Sequence, residues 1–200
     1  MKKLLKISAL IAAMALSCAF FGCSNGNSSD DNNSNSGGST TISFDDCTAT
    51  ATGVTLSDGN WTLKITKSDD GMSSETNIKA TASNGSYTFN SGSGTMAVDL
   101  SKEMKPEELT EFNALSTDDE KKQAIIKEMK CPEDATITFN ENIVTIKASF
   151  STEYLQQIQS TFDLSTLPSE AIIKTNSDKT KYTITLSSEG STMVFYISKD

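Results

Sequence analysis

Three features of the sequence predict an α+β fold: mainly an antiparallel, curved or barrel-like β-sheet, with a helical insertion and one further helix. Apolar and polar residues alternate through the first half of residues 42–200. Short glycine-bearing turns separate the alternating runs, and beyond Pro106 the apolar spacing lengthens from two residues to three or four.

The alternation is clearest at Trp61, Leu63 and Ile65, which point one way while Thr62, Lys64 and Thr66 point the other, as in a half-buried strand. Asp58-Gly59, Asp69-Asp70-Gly71, Asn84-Gly85 and Gly92-Ser93-Gly94 read as the turns between such strands. Asn-Gly is the strongest of these signals because both residues tolerate positive φ. Pro106 suits a first helical turn, and Leu109 and Phe112 follow at helical spacing. A second helix opens at Thr117 with Glu120 three residues on, a capping-box pattern. Its apolar face is Ile125, Ile126 and Met129, and Pro132 ends it. Strands return at Thr136–Phe139 and Ile143–Phe150 across Asn140-Glu141-Asn142. Tyr154, Leu155, Ile158 and Phe162 form a helical stripe, and Tyr182, Ile184, Leu186 with Met193, Phe195, Ile197 make a closing hairpin over Glu189-Gly190. Some eight strands of this kind have an apolar face to cover, by curling into a barrel or by packing under the helices.

The chain divides into three. Residues 1–22 have a basic start at Met1-Lys2-Lys3, an apolar stretch from Leu4 to Leu16 and a small residue at Gly22, the plan of a secretory signal peptide. From Leu4 to Gly22, Lys6, Ser8 and Ser17 interrupt the apolar residues and leave them marginal for the ~20 of a spanning helix. Residues 23–41 are Ser, Asn, Gly, Asp and Thr after Cys23, a composition that buries nothing and reads as a disordered tether. Asp31, Asn33 and Asn35 begin like a calcium loop, but Ser36 and Ile42 stand where it needs Gly and Glu. Residues 42–200 are a single β-rich domain with the helical insert near 106–130.

Composition narrows the chemistry. The formal charge is −9, and removal of residues 1–22 subtracts three lysines and no acid, giving −12. The chain has neither Arg nor His. An acidic surface repels phosphate backbones, so nucleic acid is not an expected partner. Without His, the Ser-His-Asp and Cys-His constellations and His-containing zinc sites are excluded. The carboxylates fall in turns or on helix surfaces where solvation explains them. The expectation is a non-enzyme with no catalytic residue, no metal and no cofactor. Cys47 and Cys131 are the cysteines beyond the N-terminal region. In an exported protein they read as a disulfide, which the chain-entropy model values at about 4.5 kcal/mol for so long a loop, or as two buried thiols.

Gly22-Cys23 resembles the lipobox of bacterial lipoproteins, with Phe20 and Phe21 in place of more usual residues, as in the relaxed boxes of spirochaetes. That resemblance implies lipid attachment at Cys23, with Cys18 as the alternative, and membrane association through an N-terminal anchor of acyl chains such as palmitate. It also implies a place in the cell envelope. Ser24 after the modified cysteine implies the outer membrane, on its periplasmic or its exposed face. Gly59-Asn60-Trp61 resembles the Gly-x-Trp motif that opens the first barrel strand of lipocalins, although the Arg that accompanies that Trp is absent and helices interrupt the meander. The inward aromatics Trp61, Tyr87, Phe89, Tyr182 and Phe195 would line a ligand cavity, or else fill the core. The functional expectation is a lipid-anchored, non-enzymatic envelope lipoprotein that binds a protein partner or a small apolar ligand. The alternatives are a surface-exposed adhesin or host-interaction protein, and a structural envelope subunit.

Overall fold

Nine antiparallel strands hydrogen-bond into one open sheet in the computed structural model, which describes residues 42–129, 134–161, 164, 167–188 and 191–200. The strands are β1 (Ala49–Thr50), β2 (Gly59–Asp69), β3 (Met72–Ser83), β4 (Ser86–Asp99), β5 (Thr136–Asn140), β6 (Ile143–Ser149), β7 (Ile172–Thr175), β8 (Lys181–Ser188) and β9 (Ser191–Lys199). The helices are α1 (Leu100–Glu103), α2 (Pro106–Asn113), α3 (Asp118–Met129) and α4 (Thr152–Thr161). Across the sheet the order is β1-β7-β8-β9-β2-β3-β4-β6-β5. The first long strand, β2, therefore lies between its hairpin partner β3 and the last strand, β9.

The buried apolar side chains of the sheet share one face. Trp61 and Leu63 stand opposite Ala80 and Ile78 on β3, and Leu63 stands opposite Ile197 on β9; Ile184 and Tyr182 continue the row onto β8. On β4 the parity changes within the strand: Tyr87 and Phe89 belong to this face, and so do Met96 and Val98. A bulge explains the switch. Ala80 pairs with Phe89 but Lys79 pairs with Ser91, so Asn90 is the extra residue and every later even position is turned inward. Val144 and Ile146 of β6, then Ile137 and Phe139 of β5, extend the face to its far edge.

Helices cover that face in two places. α1, α2 and α3 put Leu100, Met104, Phe112, Ile125 and Met129 onto Met96, Val98, Val144 and Ile146. Helix α3 starts with the expected reciprocal cap: Glu120 N–H donates to Thr117 Oγ1 at 3.2 Å, and Thr117 N–H donates to Glu120 Oε2 at 3.1 Å. Helix α4 lies over the other part, where Leu155 joins Trp61, Ile78, Phe89 and Phe195 in one cluster. Gly92 makes room for it. A Cβ there would meet the Phe150 ring at 2.6 Å, the Asn77 carbonyl oxygen at 3.2 Å and Leu155 at 3.2 Å.

Gly92-Ser93-Gly94 is thus not the turn its composition suggests, since β4 runs through it unbroken. Asn84-Gly85 and Asp70-Gly71 are turns: Asn84 and Gly85 have φ of 52° and 77°, the left-handed pair of a two-residue hairpin, and Gly71 at 108° links β2 to β3, whereas Asp58-Gly59 is a bend leading into β2, which begins at Gly59. Among the described residues the sheet is not closed into a barrel, because β1 and β5 at its two ends do not pair with each other. The short elements β1, β7 and α1 are additions to the elements read from the sequence. The signal peptide, the tether, Cys18, Cys23, Cys131, Pro132, Phe162 and the Glu189-Gly190 turn lie outside the described residues.

Candidate functional site

The five aromatics come together. Trp61, Phe89, Tyr182 and Phe195 are buried in one cluster and half-buried Tyr87 packs against it, with Trp61 and Phe195 fully inaccessible to solvent. The space in front of them holds the chain's own side chains: Leu155 and Leu164 are buried in the same cluster, and Ile158 and Leu167 pack on it. Each polar handle is satisfied locally. Trp61 Nε1 donates to the Ser57 carbonyl at 2.8 Å and Tyr182 Oη to the Thr55 carbonyl at 3.0 Å, both in the segment leading into β2. Leu164 N–H donates to Tyr87 Oη at 3.4 Å. Gln159 of α4 ties the helix to β4, donating to the Tyr87 carbonyl at 2.8 Å and accepting from Phe89 N–H at 3.0 Å. These residues act as a core with a helix seated on it.

The opposite face is polar. Between β2 and β6 it presents Thr62, Lys64, Thr66, Lys79, Thr81, Ser93, Thr95, Thr145 and Lys147, none of them buried. Its side chains form continuous hydrogen-bonded rows across the strands. Asn90 Nδ2 donates to Thr81 Oγ1 at 2.8 Å, which donates to Asn60 Oδ1 at 3.1 Å. Lys79 Nζ donates to Thr62 Oγ1 at 2.6 Å and to Asp200 at 3.2 Å, and Thr62 Oγ1 donates to Asp200 at 2.5 Å. Further along, Lys64 pairs with Glu75 at 2.7 Å. Hydrogen bonds from Lys64 and then from Asn77 hold the Glu75 carboxyl below the usual carboxylate range. The alternation of β2 and β3 announces this face; the bulge at Asn90 that extends it is signalled only by the change of phase from Tyr87 and Phe89 to Met96 and Val98.

At the β8–β9 end the segment before β1 crosses this polar face as a strap. Phe44 meets Tyr196 edge to face with ring centroids 5.2 Å apart, and Lys181 Nζ donates to the Ser43 carbonyl at 2.9 Å and to Asp46 at 3.1 Å. Cys47, in the strap itself, is a buried free thiol, its pKa pushed up first by burial and then by Asp46. Among the described residues Cys47 has no disulfide partner, and Cys131, with which the sequence suggests a bond, lies outside them. Cys47 sits by Asn176 and Lys181.

A second charged group gathers at the β2–β3 turn. Asp70 pairs with Lys102 and Asp69 with Lys67. Glu103 is pushed above the usual carboxylate range, chiefly by burial and then by the charges of Asp69, Asp70 and Asp99. Among the described residues no three or more Asp, Glu or Cys side chains are placed to hold a metal ion, and no helix is long and apolar enough to cross a membrane. No family model, no curated protein and no solved structure matches this chain.

Proposed function

We propose that this chain is a lipid-anchored, non-enzymatic envelope lipoprotein whose β domain engages a partner through the polar face of its sheet. The observation that carries the reading is the one-sidedness of the sheet. One face is packed under α1–α4, with Leu155 and Leu164 filling the space before the aromatics; the other is broad, exposed and rich in Thr, Ser and Lys. A protein partner therefore fits the domain better than a small apolar ligand inside it. The sequence from Met1 to Cys23 supports anchoring at Cys23, with two or more acyl chains supplying stable attachment. Pairing of β2 with β9, as first and last strands of a closing meander pair, supports a curved, lipocalin-like sheet wrapped about α4 and opened between β5 and β1.

Photo-cross-linking side chains placed at Ser93 and Lys147, both exposed on this face, test the reading in native membranes. The anchored protein should yield a discrete protein adduct from both positions, and the Cys23→Ala chain should lose it. Absence of an adduct from either position in the anchored chain would overturn the proposal. Protease treatment of unbroken cells separates the surface-exposed adhesin reading, in which the domain is degraded, from a periplasmic one.

A further inference from the structure

Strand β5 ends the sheet with an open edge, and the hydrogen-bond phase shows which backbone groups lie along it. Leu100 N–H donates to the Asn142 carbonyl at 2.8 Å, so Asn142, Val144 and Ile146 turn their backbone groups toward β4. Ile143, Thr145 and Lys147 then turn theirs toward β5, onto Asn140, Thr138 and Thr136. The N–H and C=O groups of Ile137 and Phe139 point the other way, outward. Among the described residues no backbone group of another element meets them. Groups at this spacing recognise an extended backbone. The sheet's other end is guarded: β1 covers part of β7, β7 carries Lys174, and the Lys181–Asp46 pair holds the strap that leads into β1. Residues 136–140 carry no charge, no proline and no bulge, the devices that usually protect an edge.

We propose that this edge pairs antiparallel with β5 of a second copy, about a two-fold axis through Thr138, to join two nine-stranded sheets. The register follows from the outward groups. Ile137 of each copy exchanges two hydrogen bonds with Phe139 of the other, four bonds in all. The sequence is self-complementary in that register. Ile137 and Phe139 stand side by side on the helix-covered face, Thr138 faces Thr138 on the polar face, and Thr136 faces Asn140. The acids flanking the strand do not oppose each other, since Glu141 faces Ala135 and Asp134 faces Asn142. For a chain of net charge −9, this uncharged strand is where a second copy approaches with least repulsion. The inference does not depend on the anchor or on the partner of the polar face.

Disulfide trapping in the full chain, in its own membrane, tests the register. Thr138 is exposed, and Thr138→Cys would place two thiols at a pair whose Cα atoms lie about 4.5 Å apart, inside the disulfide range. Thr136→Cys would leave its two copies about 14 Å apart along the strands. Mild oxidation should give covalent homodimer from Thr138→Cys in more than about tenfold the yield from Thr136→Cys or the unaltered chain. A mixture of Thr136→Cys and Asn140→Cys chains should also cross-link. Equal yields from Thr138→Cys and Thr136→Cys, or no dimer from Thr138→Cys in a protease-resistant, folded domain, would overturn the pairing. An adduct of Thr138→Cys with a different protein would overturn it too, by giving the edge to a partner's strand.

Discussion

Cys47 is the residue at which burial and chemistry meet most plainly. The thiolate is the reactive form, and a buried thiol with a raised pKa forms it late. Alkylation of the folded domain at neutral pH should be at least about tenfold slower than that of the unfolded chain. The sign of the pH effect follows from linkage. The folded thiol holds its proton after the unfolded one has lost it, so its contribution to stability is whole below about pH 8.5 and is lost as pH rises beyond. Alkylation followed by mass spectrometry from pH 7 to 10 checks the rate, and equal rates in the folded and unfolded states would contradict the burial. Glu75 acts in the opposite sense. Its lowered pKa favours the folded state above the ordinary Glu range and loses that effect as pH falls through the folded value. The contribution is small because the Lys64–Glu75 pair is well exposed.

At the scale of elements, the seating of α4 on β4 is the contact on which the apolar face depends. Gly92→Ala drives a methyl group against Phe150 and the Asn77 carbonyl and should cost about 1–3 kcal/mol. Gly53→Ala, where nothing lies within 4 Å, should change stability by no more than about 0.5 kcal/mol. Leu155→Ala should cost about 2–5 kcal/mol. Denaturant unfolding of the three variants checks the order, and equal effects of the two glycine substitutions would contradict the seating. Here the limits of the sequence are physical. The long alternating strands and the Thr117-Glu120 cap are legible because their signals are local. Gly92 and Gly94 read as a turn because close approach by Phe150 and Leu155 is a long-range fact with the same local signature. The even-numbered alternation of Met96 and Val98, out of phase with Tyr87 and Phe89, was the available sign of a bulge. β1 and β7 have two and four residues, too few for a period to show.

For the whole molecule, the aromatic set was legible as a group that converges. Its role was not, because a cavity and a core have the same inward residues and differ only in what stands before them. Leu155 and Leu164 stand there, on a helix and a segment far along the chain from Trp61. The membrane half of the account lies in Gly22-Cys23, where metabolic labelling with palmitate should mark the unaltered protein and not Cys23→Ala; an unlabelled mature protein would remove the anchor. The central claim is that the apolar face is filled by the chain itself, leaving the polar face to act. Trp61 is the single tryptophan, fully buried beside Leu155, and its emission reports on that filling. Titration of the folded domain with fatty acids, haem and apolar dyes should leave its intensity and emission maximum unchanged. A saturable, stoichiometric change with any of them would show that the aromatics open onto a ligand site, and would contradict the claim.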